Sequence, residues 1–309
     1  MARRKKGRAI HGWLVLDKPV GITSTQAVGA VRRIFDARKA GHAGTLDPLA
    51  TGVLPIALGE ATKTVPYAVD GTKHYGFTVR WGISTETDDA EGRITTSSEL
   101  RPSREAIEGL LPRFTGDIMQ TPPAYSAIKV DGNRAYDLAR AGEVVELEAR
   151  PVAIQSLTLV DMPDPDTTVF EARCGKGTYV RALARDMGSE LGCLGHLVAL
   201  RRTRVSPFDE VQAVGLAALE AAAQQGEDAV QGLLLPIEAA LQDLASISVG
   251  QNDAARLLRG QAVLIRGRDA PTSTGPTYAT CKGQLIAVGL IEKGELHPVR
   301  VFNFGNDTT

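Results

Sequence analysis

The chain has 309 residues, of which 43% are hydrophobic and 23% charged, a composition that suits a globular protein of about two domains. Its formal charge of −1 hides an uneven distribution: residues 1–208 carry 28 Lys/Arg against 24 Asp/Glu, residues 209–243 carry 7 acids and no base, and residues 244–309 carry 7 bases against 5 acids. The cysteines Cys174, Cys193 and Cys281 form no CxxC pair, which argues against a disulfide framework or a cysteine zinc site, and no apolar run is long enough for a membrane span.

In chain order, the N-terminal MARRKKGRAIHG is basic and lacks the apolar stretch of a secretory signal. Trp13–Leu16 reads as a short buried strand that ends at the turn Asp17-Lys18-Pro19-Val20-Gly21. Thr23 and Gln26 form a capping box, and Val28, Val31, Ile34 and Phe35 then mark a helix face. Lys39–Gly52, with its glycines and Pro48, reads as an ordered loop. Tyr75, Phe77, Val79 and Trp81 alternate, which predicts a strand, and the acidic turn STETDDAEG follows. Ser103–Phe114 reads as a short helix, Ile118–Val130 as extended, and Ala135–Ala141 as a helical turn. Val144–Leu159 and Thr168–Cys174 read as strands. The stripe Val180, Leu183, Met187 and Leu191, stopped by Gly192, predicts a helix, and Gly195–Val205 reads as another strand. Residues 209–243 read as acidic linking helices, and 244–309 as a small β domain. Strands and helices mix without a βαβ rhythm, so the class is α+β.

Basic residues clump at Arg3–Arg8, at Arg32, Arg33, Arg38 and Lys39, and at Arg201, Arg202 and Arg204. Such clumps suit a phosphate-binding surface, because each neutralised phosphate releases counterions. A merely solvated surface is the equal alternative. No P-loop, GxGxxG, HExxH or GxSxG pattern occurs, and the five histidines show no ligand spacing, so neither a metal nor a nucleotide cofactor is expected. In the loop Gly41–Gly52 one carboxylate, Asp47, sits among small residues that would let a large ligand approach the main chain. An Asx-type turn, in which Asp47 caps its own loop, is the competing reading.

The run Gly41-His42-Ala43-Gly44-Thr45-Leu46-Asp47-Pro48-Leu49-Ala50-Thr51-Gly52-Val53-Leu54-Pro55 closely resembles the signature loop of the TruB family, the bacterial tRNA pseudouridine-55 synthases. Asp17-Lys18-Pro19 with Gly21, Lys73-His74-Tyr75, Gly175–Arg181 and Leu197–Arg204 match the family in order, so the similarity covers about residues 12–205. The resemblance implies a mixed-sheet catalytic domain over 11–208 with a thumb insertion at about 121–150. A basic flexible arm would precede it at 1–10, and the acidic helical segment 209–243 would lead to a PUA-like β domain at 244–309. It implies isomerisation of uridine 55 in the tRNA T-loop, by base flipping and aspartate covalent catalysis. By position Asp47 is the catalytic aspartate, Arg181 its cation and Tyr75 the tyrosine that stacks on the target base. Tyr179 aligns with a second pocket tyrosine, Leu200 with main chain at the uracil edge, and His42 with a residue that fills the space the flipped base leaves. In the thumb, Pro122, Pro123, Tyr125, Lys129 and Arg134 would supply stacking and phosphate contacts, while Lys18 and Pro19 would support the pocket.

Tyr179 and Arg181 would lie about 200° apart in an ideal helix, so a shared pocket requires extended backbone there and a helix that starts at or just after Arg181. The resemblance further implies the tRNA T-arm as partner, a cytoplasmic monomer that needs no protein partner, and no membrane, metal or cofactor. Two rivals stand beside this reading. One is a catalytically idle RNA-binding or RNA-folding module on the same scaffold, against which the presence of Asp47, Tyr75 and Arg181 argues. The other is a glycosidase, which needs two opposed acids where the loop offers one.

Overall fold

A computed structural model describes residues 7–265 and 275–304, apart from 131 and 144. The basic positions Arg3, Arg4, Lys5 and Lys6 and the side chains of Lys129 and Arg134 lie outside the described part.

Ten strands form one mixed sheet. Its main path runs Val214–Gly215, Gly12–Lys18, Thr51–Leu58, Gly195–Val205, Lys73–Trp81, Thr167–Cys174, Arg150–Asp164, Gly116–Gln120. Ala40–His42 adds to Thr51–Leu58, and Phe208–Asp209 to Gly195–Val205. Two pairings are parallel, Gly12–Lys18 with Val214–Gly215 and Thr51–Leu58 with Gly195–Val205, and the rest are antiparallel.

Side-chain pattern explains where each strand sits. In Lys73–Trp81 every second residue turns inward, and Phe77, Val79 and Trp81 join Phe170, Leu183 and Met187 in the main core. Trp81 keeps its indole N–H satisfied there by Thr168 Oγ1 at 2.8 Å. Gly12–Lys18 has no alternation because both its faces are covered. Leu14 and Leu16 enter the main core, while Trp13 and Val15 enter a second core with Phe208, Ile237 and Phe302.

The acidic stretch after residue 208 packs onto this body instead of spanning open space. Its helices Leu216–Gln225 and Glu227–Gln231 bury Leu219 and Val230 in the main core, and Leu235 exchanges two 2.8 Å backbone bonds with Trp13. Glu220, Glu227, Asp228 and Asp243 stay exposed, so the charge faces water while the apolar side is buried. The tail forms a five-stranded sheet in the order Ala245–Ser248, Pro276–Cys281, Gln284–Glu292, Glu295–Val301, Val263–Leu264. The helix Gln251–Leu258 closes its own core around Ile247, Leu257, Ala279 and Leu296. The α+β class and the small C-terminal β unit are those expected.

Three local readings change. The expected loop over Lys39–Gly52 contains the short strand Ala40–His42, because its backbone finds partners on Thr51–Leu58. The strand expected from Val144 begins at Arg150, where pairing with Gln120 starts. The run Ile118–Val130, expected to be extended, leaves its strand at Gln120 and bends before Lys129, while the acidic turn is a turn, with Asp89 buried and Asp88 paired with Arg185 at 2.9 Å.

Candidate active site

The loop that carries Asp47 is held by side chains behind it. Ser24 opens the helix Ser24–Ile34, which starts with the expected Thr23/Gln26 capping box. Buried under the loop, Ser24 Oγ accepts from Leu46 N–H at 2.8 Å and donates to the Leu46 carbonyl at 2.9 Å. The Pro48 carbonyl accepts from Gly21 N–H at 2.8 Å, and Ala50 N–H closes the turn onto the Asp47 carbonyl at 3.1 Å. Lys18, fully buried, donates to the carbonyls of Pro19 and Ile22 at 2.9 and 2.8 Å and lies 3.4 Å from that of Pro48. Burial pulls its pKa down to about 8, although nearby Asp47 acts in the opposite direction. Asp47 is thus fixed by main chain on both sides, which leaves its carboxylate to point outward.

Arg181 meets that carboxylate, its Nε 2.9 Å from Asp47 Oδ2. The contact is a single ion pair, not a two-pronged clamp, because the other guanidinium nitrogens donate to the Thr87 and Tyr125 carbonyls, each at 2.9 Å. A second acid, Asp89, lies 3.6 Å from Arg181 Nε and is nearly inaccessible. Sequence reasoning missed Asp89, since within an acidic run one Asp looks like another until an arginine from a distant helix reaches it. The helix begins at Val180, one residue earlier than expected, with Tyr179 as N-cap at φ −105°, ψ 111°. Extended backbone at Tyr179 is what lets Tyr179 and Arg181 line the same cavity.

Tyr75 reaches the cavity from the central strand. Its hydroxyl is hydrogen-bonded to Arg202, and burial raises the phenol's pKa while the Arg202 charge opposes that rise. Arg202 is 1% exposed and donates to the carbonyls of Val53, Gly44 and Thr45 at 2.8, 3.0 and 3.3 Å. The sequence groups Arg201, Arg202 and Arg204 as one basic clump, but neighbours on a strand face opposite ways. Arg201 turns outward to Asp17 and Glu210, whereas Arg202 lies beneath the Asp47 loop. Gly52, at φ +98°, passes so close that an added Cβ would sit 2.2 Å from the Arg202 carbonyl oxygen.

Arg202 therefore supports the loop and Tyr75 together. Arg202→Met should unpair several buried carbonyls and cost about 3 kcal/mol or more of stability in urea unfolding. Arg201→Met, which removes partly exposed ion pairs, should cost under about 1 kcal/mol. Equal losses in the two variants would contradict the supporting role.

Asp47, Tyr75, Tyr179, Arg181 and Leu200 all line one cavity of about 260 Å³. His42 lines an adjoining cavity of about 440 Å³, which shares Asp47 and Arg181 with the first. Burial, and secondarily Arg202, lowers the His42 pKa, so its ring is neutral near pH 7. The Leu200 carbonyl lies 3.4 Å from Thr51 Oγ1, with the side chain largely buried. Asp47, Tyr75, Tyr179, Arg181, Leu200 and His42 thus lie around one pair of cavities, and of the residues named in the thumb Tyr125 lines the second, whereas Pro122 and Pro123 line neither. Among the described residues no group of three or more His, Cys, Asp or Glu is placed to hold a metal. No helix of the described residues is long and apolar enough to cross a membrane.

Residues 32–180 match the model of the TruB family pseudouridylate synthase N-terminal domain. Residues 181–242 match that of the tRNA pseudouridylate synthase B C-terminal domain, so the acidic segment falls within a family domain. The chain is 63% identical over 303 residues to tRNA pseudouridine synthase B of Bradyrhizobium diazoefficiens, covering 97% of this chain and 88% of the relative. It is 55% identical over 305 residues to the protein of that name from Agrobacterium fabrum, with 97% of each covered. Among solved structures, a chain in the crystal structure of a Cbf5-Nop10-Gar1 complex aligns at TM-score 0.71 with 25% identity, covering 95% of this chain and 85% of that one. A chain of an H/ACA RNP bound to a substrate RNA containing 2′-deoxyuridine aligns at TM-score 0.72 with 23% identity, covering 98% and 90%, a likeness of fold. With matches to both family models and to relatives over nearly the whole length, the chain belongs to the TruB family of pseudouridylate synthases.

Proposed function

We propose that this protein isomerises uridine 55 in the T-loop of tRNA to pseudouridine. The observation that carries the reading is the Asp47 carboxylate, held 2.9 Å from Arg181 in a cavity that Tyr75 and Tyr179 also line. The target base is stacked within RNA, so the nucleotide is flipped into the cavity before its glycosidic bond is broken. Asp47 supplies covalent catalysis. Arg181 supplies the counter-charge to that carboxylate, a task suited to a guanidinium. Tyr75 stacks on the base, Tyr179 bounds the pocket, Leu200 main chain borders the uracil edge, and His42 fills the space left in the RNA loop. The division into a body at 11–208, an acidic segment at 209–243 and a small PUA-like β domain at 244–309 belongs to this proposal, as does a cytoplasmic monomer that needs no protein partner.

Incubation with an unmodified tRNA transcript, followed by mapping of pseudouridine, tests the reading. The expected product is pseudouridine at position 55, and an unmodified transcript would overturn the reading in favour of an idle RNA-binding module. Isomerisation exchanges the C1′–N1 bond for C1′–C5, and C5 loses a proton while N1 gains one, with no net redox change, so no co-reactant is consumed. Turnover of a minimal T-arm stem-loop, which needs little Mg²⁺ to fold, should therefore persist in EDTA. Loss of turnover there would reveal a required metal.

A further inference from the structure

Tyr179 is an unusual residue with which to begin a helix. The first N–H groups of a helix lack internal partners, and Ser, Thr, Asp or Asn at the N-cap normally supplies a side-chain acceptor. Tyr179 supplies none. Its backbone is instead held from across the fold by Gln120, the last residue of the edge strand Gly116–Gln120. Gln120 Oε1 accepts from Tyr179 N–H at 2.8 Å, and Gln120 Nε2 donates to the Tyr179 carbonyl at 3.2 Å. The side-chain amide thus acts as a peptide group would in a strand partner, and it keeps Tyr179 extended. Gln120 is 2% exposed, so neither bond is readily replaced by water.

The consequence reaches the cavity. Extended backbone at Tyr179 sets the angle between the Tyr179 ring and the Arg181 guanidinium two residues on. The chain that follows Gln120 is bonded to the same helix: Arg185 donates to the Thr121 carbonyl at 2.7 Å and Arg181 to the Tyr125 carbonyl at 2.9 Å. We infer that Gln120 is a positioning residue for the isomerisation: through its paired bonds to the Tyr179 main chain it fixes Tyr179 and Arg181 relative to Asp47, and it ties the segment 121–125 to the site. This rests on the reading of the cavity as the place where pseudouridine forms.

The test is single-turnover kinetics on an unmodified tRNA transcript, with affinity measured separately. Gln120→Met keeps length and removes both bonds. It should lower the single-turnover rate at saturating enzyme by about tenfold or more, while Kd stays within about threefold, because a misplaced charge weakens the transition state more than the bound complex. In an Arg181→Met background the same substitution should cost clearly less, since residues that act through one another are not additive. Gln120→Glu keeps the acceptor for Tyr179 N–H, loses the donor, and should fall between the two. A Gln120→Met rate within about twofold of wild type, or an equal fold loss in both backgrounds, would overturn the inference. Should the Met variant fail to fold, Gln120→Glu decides: a rate loss at unchanged Kd supports the inference and a wild-type rate overturns it. The wild-type protein in the same assay separates the two levels. No product from it defeats the reading of the cavity, whereas an active wild type with an unaffected variant defeats the role of Gln120 alone.

Discussion

Asp47→Asn is expected to abolish pseudouridine formation while tRNA affinity stays within about tenfold, a change of ~1.4 kcal/mol. The supports of the Asp47 loop include bonds to its main chain from the Ser24 hydroxyl, Gly21 N–H and Ala50 N–H, none of which involves the Asp47 carboxylate. Asparagine preserves the shape and leaves those bonds intact. It removes the negative charge and with it the group that can act covalently. Arg181 keeps Asp89 as a nearby counter-charge, so the guanidinium retains an anchor. RNA affinity comes from phosphate contacts and stacking spread over a wide surface, to which one carboxylate adds little. Filter binding alongside pseudouridine mapping separates the two quantities. Measurable turnover by a purified, contamination-checked variant would remove Asp47 from the chemistry.

Arg181→Met should be nearly as damaging, with an expected loss of about a hundredfold or more in single-turnover rate near neutral pH, the scale on which a site loses one preorganised charge. Without the guanidinium, the Asp47 carboxylate loses the cation that lies 2.9 Å from its Oδ2. Arg181→Lys keeps a positive charge beside Asp47 and should therefore recover part of the rate. The structure adds a second effect. Arg181 also neutralises buried Asp89 and satisfies the Thr87 and Tyr125 carbonyls, so the Met variant should lose stability by about 3–5 kcal/mol. A lower melting temperature alone would follow from any structural role. The partial rescue by lysine is the distinguishing result, and an equal rate loss in the Met and Lys variants would contradict the pairing with Asp47.

Local signals in the chain were enough for the elements that flank the site. The capping box at Thr23 and Gln26 places the start of the first helix, and the alternation from Tyr75 to Trp81 places the central strand with Tyr75 on its inner face. From the residues alone, the Asp47 loop is a candidate with an Asx turn as its rival, and the family resemblance raises it to a site. These signals are periodicities and spacings within a dozen or so neighbours, where backbone geometry repeats and partners are local. What surrounds Asp47 is of another kind. Asp89 reaches Arg181 from a different segment, Arg202 lies beneath a loop about 150 positions away, and Gln120 holds a residue 59 positions away. In sequence Arg202 is one of a basic clump, Asp89 one of an acidic turn, and Gln120 an ordinary polar residue at the end of an extended run. Which of them is buried, and against what, depends on strand register and on which helix packs where, so the assembled sheet decided it.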